Sequence, residues 1–409
     1  MVKRALGQVI RDDRALRTTR DVEEQLETFI LKPAAQLRIV GPILIIIDAL
    51  DESSDPRSRH RLLSLLAKRM PELPGNFRVL LTSRPERDIE DAFSHNDRIM
   101  YKRMDAIKRS STDKDILTYI RTQLNERLDD RNCQLLAHKA EGLFQWAFTA
   151  CEAIRGLGEG GLTTTERFDR VISTSQDNDM GPLDSLYLGI LSQLFRRTDT
   201  TIMDRFKSVM GPIMTAFEPL SIDSLTQMRQ RPSSGEDDVQ VIVQFMGSVL
   251  SGVSQASTPI RPLHTSFRDF LTDPSRSGDF CVNISDQHKA LVVASLRVMK
   301  AELRFNICRL ETSYVRNQDI SDLADRINKF IPLHLSYSCR FWAEHLRAID
   351  FDSGILAEVR DHLYERLLFW LEVLSLLGII NISPQALSHV YEWCMVCFSS
   401  HFSSTDDGE

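Results

Sequence analysis

Three carboxylates follow an apolar run near the start of the chain. The run Ile43-Leu-Ile-Ile-Ile leads directly into Asp48-Ala-Leu-Asp51-Glu52. An apolar run without alternation predicts a parallel strand that is covered on both faces, and open α/β sheets bind ligands beyond the carboxyl ends of such strands. There, one carboxylate can hold Mg²⁺ and a second can orient or deprotonate a water. The pattern predicts Asp48 as a metal ligand and Asp51 and Glu52 as catalytic groups. A buried strand that simply ends in a polar turn is the alternative.

A second strand is predicted where a cation could join these carboxylates. Residues 57–70 have the pattern of a helix, and the apolar run Phe77–Leu81 then ends in Thr-Ser-Arg84-Pro-Glu. An arginine at the tip of the neighbouring strand can reach a γ-phosphate. Residues 98–104 are predicted to form a short third strand. Strands that alternate with helices predict a parallel sheet.

Together, the segments IIIDALDE and LLTSRPE resemble the Walker B and sensor 1 motifs of NACHT-type STAND ATPases. The similarity is to fungal proteins that place such a domain before WD or ankyrin repeats, and to nephrocystin-like NACHT proteins. Three later segments resemble the same family: GLFQWA at residues 142–147, LHTSFRDFL at 263–271 and LSYSCRFWAEHL at 335–346. The aromatic side chains of the first of these, Phe144, Trp146 and Phe148, are predicted to lie in the core.

The resemblance implies an α/β fold followed by an all-α region. It divides the chain into a NACHT α/β core (1–110), a helical lid (111–180), a winged-helix-like domain (181–275), a helical domain (276–398) and a disordered tail (399–409). Helices and then a strand pair within 181–275 follow winged-helix order, and Ser221 is predicted to cap a helix that begins at Ile222. The implied cofactors are ATP or ADP with Mg²⁺. The implied function is ATP-dependent conformational switching and oligomerisation in a signalling protein.

His264 is the one candidate ligand residue outside the first domain. The resemblance implies a winged-helix histidine that touches the β-phosphate of bound ADP and holds a closed state. Such a residue must lie on the same side of the molecule as Asp48 and Arg84. The alternative is a structural histidine that forms hydrogen bonds at the start of a helix.

The phosphate-binding sequence Gly-x-x-x-x-Gly-Lys-Ser/Thr does not occur in these 409 residues. In that motif, backbone N–H groups and a lysine surround the phosphates. We therefore expect an N-terminally truncated relative that starts after its P-loop, binds no ATP and is not a competent ATPase. Two functions stay open: a STAND-type regulator whose switch is impaired, and a non-catalytic helical scaffold or protein-interaction module. The signatures of other hydrolase classes do not occur in the sequence.

The composition indicates which classes of partner the chain could bind and in which compartment it is expected. The net charge is −7 without a basic stripe, which argues against nucleic-acid binding. Seven scattered cysteines indicate a reducing compartment, and a cytoplasmic location is expected because the charged N-terminus lacks a signal segment. Residues 367–382 are apolar but fall short of the about 20 residues of a membrane span and contain Glu372, so a buried helix is predicted. Protein partners or self-association are expected.

Overall fold

The computed structural model describes residues 2–12, 21–36, 41–53, 56–93, 98–103, 109–125, 127–156, 162–173, 180–229, 238–312 and 314–402. The chain divides into two compact units, Met1–Ile107 and Lys108–Glu409. The described residues are mostly helical, with a two-stranded parallel sheet in the first unit and a short antiparallel pair in the second.

In the first unit, both predicted strands are present and pair in parallel. The register runs from Ile43 opposite Phe77 to Ile47 opposite Leu81. Short 3₁₀ turns follow β1 at Leu50–Glu52 and α4 at Met70–Glu72. The regular elements are α1 (Val2–Asp12), α2 (Val22–Gln25), a π-helical turn (Leu26–Leu31), α3 (Lys32–Ala35), β1 (Ile43–Ile47), α4 (Pro56–Arg69), β2 (Phe77–Leu81) and α5 (Arg87–Phe93).

Among the described residues, the sheet is covered on only one face. Side chains alternate along each strand, so the two faces of the sheet differ in burial. On the open face, Leu44 is 58% exposed, Ile46 is 61% exposed and Leu80 is 49% exposed. The prediction of burial on both faces is therefore wrong, because the apolar cluster of this unit lies on one side of the sheet. Ile47 and Leu81 pack against that cluster, which consists of Leu50, Leu63, Leu66, Ile89 and Phe93.

The predicted third strand is also wrong. Residues 98–103 form no strand, and residue 104 lies outside the described residues. Met100 is 93% exposed and Tyr101 is 54% exposed, whereas a strand requires a hydrogen-bonded neighbour. Within the described residues, β1 pairs only with β2. The segment contacts α5 instead, through the hydroxyl of Tyr101, which donates to Glu90 at 3.0 Å.

The second unit contains α6 (Arg109–Gln123), α7 (Asp130–Lys139), α8 (Phe144–Arg155), α9 (Thr164–Ser173), α10 (Pro182–Leu194), α11 (Thr200–Thr215), α12 (Ile222–Arg229), α13 (Asp238–Val243), β3 (Leu250–Ser251), β4 (Arg261–Pro262), α14 (Thr265–Thr272), α15 (Pro274–Ser277), α16 (Ile284–Glu302), α17 (Leu323–Phe330), α18 (Leu333–Arg347), α19 (Ser353–Leu376) and α20 (Ser383–Phe402). One continuous apolar core runs through these elements. Trp146, Trp342 and Trp370 are fully buried in it. The core prediction holds for Trp146, but Phe144 is 46% exposed and meets Tyr119 edge-on at 6.1 Å.

The predicted helices and strand pair occur in order between residues 181 and 275. Strands β3 and β4 are antiparallel, and Ser221 forms an isolated bridge with Pro259. Ser221 caps α12 as predicted, since its Oγ accepts the backbone N–H of Ser224 at 3.2 Å. Gly252 has a φ of 79°, and a Cβ there would lie 2.3 Å from the carbonyl oxygen of Pro259, so the turn after β3 requires glycine. The winged-helix assignment and the other domain boundaries stay predictions.

The C-terminal region is helical, as predicted. Glu372 lies within α19, where its carboxylate accepts the backbone N–H groups of Asn306 at 3.1 Å and Ile307 at 3.0 Å. Among the described helices, none combines the length and apolar character needed to cross a membrane.

Helix α20 continues to Phe402, so the predicted tail is helical over its first four residues. Residues 403–409 lie outside the described residues.

Candidate functional site at the carboxyl ends of the strands

The carboxyl ends of β1 and β2 are joined by hydrogen bonds that continue past both strands. Thr82 donates its N–H to the carbonyl of Ile47 at 3.0 Å and accepts the N–H of Leu50 at 3.0 Å. The Thr82 hydroxyl accepts the N–H of Ala49 at 3.0 Å and donates to Asp48 Oδ1 in a close contact. Ala49 is left-handed (φ 50°, ψ 52°), a conformation that alanine rarely adopts. This residue turns the chain sharply, so that Asp51 and Glu52 follow in a 3₁₀ turn.

Asp51 faces the tip of the second strand. Its Oδ1 accepts the backbone N–H of Arg84 at 3.0 Å, and its Oδ2 lies 3.5 Å from the Nε of the same residue. The Asp51 side chain is 7% exposed, whereas the Arg84 side chain is 46% exposed. The structure therefore brings Asp51 and Arg84 into contact, and Asp48 is hydrogen-bonded to Thr82, two residues before Arg84. Glu52 is on the exposed side of the same turn.

Arg59 was not predicted, yet it connects the residues at the carboxyl ends of the two strands. It is 1% exposed, and its Nη1 donates to the carbonyl of Asp51 at 2.5 Å. Its guanidinium also binds Asp88 through two contacts at 2.9 and 3.0 Å and makes a close ion pair with Glu86. These contacts hold the pKa of Asp88 below its usual range and raise the pKa of Arg59.

A signal for Arg59 was present in the sequence. On α4, Arg59 precedes Leu63 and Leu66 at helical spacing, so a cation lies on the apolar stripe of the helix. A cation there requires carboxylate partners, and Glu86 and Asp88 follow the second strand with no nearby cation except Arg84 and Arg87. The ion pair could have been inferred from these two facts together.

The carboxylates at this edge suit the magnesium ion of a magnesium–nucleotide complex. Asp48 and the exposed Glu52 offer the oxygen ligands that Mg²⁺ takes, one or two carboxylates at a time, beside a substrate's phosphates. Across the described residues, no group of three or more His, Cys, Asp or Glu side chains is arranged to hold a metal alone. A triphosphate needs unpaired cations and N–H groups. Here Arg59 is paired with Glu86 and Asp88, and Arg84 is paired with Asp51, so neither arginine offers an unpaired cation to a phosphate.

His264 lies in the second unit, at the N-terminus of α14. Its Nδ1 accepts the backbone N–H of Ser266 at 3.1 Å and contacts the hydroxyl of the same residue at 2.7 Å. That hydroxyl is 2.9 Å from the hydroxyl of Tyr187 on α10. The structural alternative for this histidine, capping the start of a helix, is thus confirmed. Its predicted proximity to Asp48 and Arg84 stays a prediction.

Two comparisons found known proteins to which this chain is similar. Residues 2–84, which include every candidate residue of the strand edge, match the family described as Nephrocystin 3, N-terminal. Over 266 residues, the chain is 26% identical to the vegetative incompatibility protein HET-E-1 of Podospora anserina. The match covers 58% of this chain and 18% of HET-E-1, so the chain spans less than a fifth of that relative's length. No solved structure matches significantly. The two matches support a NACHT-type relative, in agreement with the motifs.

Proposed function

We propose that this chain is a regulatory protein of the NACHT type that acts through contacts with other protein chains. The observation that carries the proposal is the parallel strand edge, where Asp51 after the first strand meets Arg84 after the second and Asp48 is hydrogen-bonded to Thr82. The later family-like segments follow in the same chain order, and one relative is named for vegetative incompatibility.

The nucleotide roles of the site belong to this proposal. If a nucleotide were bound, Asp48 would hold the Mg²⁺, Asp51 and Glu52 would act on water, and Arg84 and His264 would contact phosphate. The pair between Asp51 and Arg84 must open before either residue could play its role. Since three carboxylates and paired arginines face any approaching triphosphate, we propose that the 409 residues regulate without turning over ATP.

A second candidate, the non-catalytic scaffold, is favoured by the contacts of Asp51. A carboxylate that joins two strand ends, at 7% exposure, stabilises the fold whether or not a nucleotide binds. In that case the strand edge is purely structural, and the helical second unit provides the interaction surface.

Calorimetric titration with ATP and ADP, with and without Mg²⁺, tests whether the strand edge binds a nucleotide. We expect no Mg²⁺-dependent binding and no hydrolysis by the 409-residue chain. Asp48→Asn and the matched control Asp91→Asn, an exposed acid on α5, should behave like the wild type. Magnesium-dependent binding that is lost in Asp48→Asn and kept in Asp91→Asn would show that the site is a working nucleotide switch.

Light scattering coupled to size-exclusion chromatography tests the protein contacts. A regulator that acts by association should form oligomers whose mass rises with protein concentration. A monomer over a wide range of concentrations would contradict self-association and would leave a different chain as the partner, which affinity capture with purified candidate chains then tests.

A further inference from the structure

Helix α19 carries two large apolar side chains that face away from the core. Tyr364 is 85% exposed, and Leu368, one turn further along, is 75% exposed. The opposite side of the helix is buried, with His362 at 4% and Trp370 at 0% exposure. Leu368 belongs to the apolar run 367–382, for which the sequence predicts a buried helix, so its exposure departs from that prediction. Because residues four apart are neighbours on a helix, Tyr364 and Leu368 form one continuous surface.

Phe305 adds a second aromatic ring beside this surface. It is 79% exposed and lies in the connection between α16 and α17. The next residue, Asn306, donates its backbone N–H to the carboxylate of Glu372 at 3.1 Å. Since Glu372 follows Leu368 by one turn of α19, the turn that bears Phe305 is held against the exposed side of the helix. We name Phe305, Tyr364 and Leu368 the α19 patch.

The size of the α19 patch is unusual for a surface that faces only water. An aromatic side chain can bury about 150–250 Å², so the two rings and the leucine together offer roughly 450 Å² of mostly apolar surface. Single exposed apolar residues are common on soluble proteins. Apolar patches of several hundred Å² are often sites where another molecule binds. The patch therefore indicates a docking surface.

The rim of the patch indicates which kind of molecule docks there. It carries charges of both signs: Arg304 and Arg360 are positive, and Asp361 and Glu365 are negative. A strongly basic or strongly acidic partner would leave half of these charges without a complement. A second copy of the same chain has an apolar centre to match this one and brings both signs of charge to the rim.

A two-fold axis would let the same patch serve on both copies, since such an interface is self-complementary. Two α19 patches in contact would remove roughly 900 Å² from water, counting only these side chains. Stable interfaces bury about 1,200–2,000 Å² in total, and transient ones bury less. The area is therefore that of a reversible dimer, whose fraction rises with protein concentration.

We infer that the α19 patch is the surface through which two copies of this chain associate. The inference rests on the proposed function, because it names the surface that would make one of the protein contacts proposed there. It assigns self-association to the second unit and involves neither the strand edge nor a nucleotide.

Sedimentation equilibrium of the full chain over a range of concentrations tests the patch. We expect the wild type to dimerise and Leu368→Gln to raise the dissociation constant at least about tenfold, because burying a leucine side chain contributes at least that factor and the substitution acts on both copies. Tyr364→Gln should have a similar effect. The matched control is Tyr391→Gln, at a position on α20 that is 66% exposed and outside the patch, and it should associate like the wild type.

The possible results separate the patch from the proposed function. If wild-type dimers persisted unchanged in Leu368→Gln and Tyr364→Gln, or if Tyr391→Gln weakened them equally, the assignment of the patch would be wrong and self-association through another surface would stand. A wild-type chain that stayed monomeric at every concentration would overturn both the patch and self-association.

A second measurement needs no variant and decides the matter if a substituted chain folds poorly. In wild-type protein, the methyl resonances of Leu368 and the ring resonances of Tyr364 should shift with protein concentration, along the same curve as the measured mass. The ring resonances of Tyr391 should stay constant. Patch resonances that did not move while the mass doubled would contradict the inference.

Discussion

The carboxylate of Asp51 accepts the backbone N–H of Arg84 at 3.0 Å and lies 3.5 Å from the Nε of the same residue. One side chain thus joins the end of β1 to the end of β2, beyond the last hydrogen bonds of the sheet. Asp51, which was predicted to act on a water, therefore connects two loops in this structure. Its contribution to stability can be measured separately from any chemistry.

Asp51→Ala should destabilise the first unit by about 0.5–1.5 kcal/mol, because it removes the hydrogen bond to the N–H of Arg84, which water can then reach. Asp51→Asn keeps an oxygen for that N–H and should cost less. Urea denaturation, followed by exchange of amides in β1 and β2, measures both variants. Glu52→Ala, which removes an exposed carboxylate from the same turn, serves as the control. If Asp51→Ala and Glu52→Ala had the same free energy of unfolding, the contacts of Asp51 would not stabilise the fold.

Arg59→Met should be at least as damaging, with a loss of about 1.5–3 kcal/mol, because it removes a buried cation that donates hydrogen bonds to Asp88, Glu86 and the Asp51 carbonyl. Arg59→Lys should recover only part of this, since an ammonium cannot span both carboxylates and the Asp51 carbonyl in the same fork geometry. The control is Arg61→Met, two residues further along α4, whose side chain is 60% exposed and pairs with Asp21. Equal unfolding midpoints for Arg59→Met and Arg61→Met would contradict the organising role of Arg59.

The strands of the first unit could be predicted, because five consecutive branched apolar residues have few other stable arrangements beside a second such run. The coverage of the sheet by other elements could not be predicted from the sequence. Whether Leu44 and Ile46 meet a helix depends on elements distant in sequence, and the apolar run alone gives no information about them. Residues 98–104 failed as a strand for a similar reason, since pairing requires a neighbouring edge.

Local backbone chemistry explains another difference. A proline is expected to end a helix, yet the helical segment continues past Pro33 to Ala35. The π-helical turn Leu26–Leu31 intervenes, and Lys32 donates its N–H to the carbonyl of Glu27, five residues back. Pro33 then occupies the first turn of a new α-helical segment, where a missing N–H costs nothing. Within the candidate site, the positions of Asp48, Asp51 and Arg84 were predictable from the strand ends, but their mutual pairing was not.

Buried His362 on α19 should make the second unit sensitive to acid. It is 4% exposed, neither ring nitrogen has a hydrogen-bond partner among the described residues, and burial lowers its pKa to about 4. Above about pH 6.5 the histidine is neutral in both states, and below it the unfolded chain takes up the proton first. Stability should therefore fall by about 1.4 kcal/mol per pH unit for this residue as the pH decreases towards 4.

His362→Phe should remove that part of the pH dependence, because the ring packs edge-on against Trp342 at 5.1 Å and phenylalanine can take its place. Urea denaturation of the second unit at a series of pH values measures the slope. His138→Phe makes the same substitution at an exposed position of α7 and should leave the slope unchanged. A slope in His362→Phe equal to that of the wild type would mean that this histidine is protonated in the folded state.

Glu372 provides the last test, because the charge that argued against a membrane span has a structural role. Its two oxygens accept the N–H groups of Asn306 and Ile307, in a turn where Asn306 is left-handed at a φ of 51°. Glu372→Gln replaces one acceptor with an NH₂ group that faces an N–H donor, so we expect a loss of about 1–3 kcal/mol and faster exchange of the Ile307 amide. Glu365→Gln, on the same helix with a side chain that is 60% exposed, should change neither quantity. If both variants exchanged Ile307 at the wild-type rate, the turn at residues 306–307 would be held by its own bonds, chiefly those between Asn306 and Leu310.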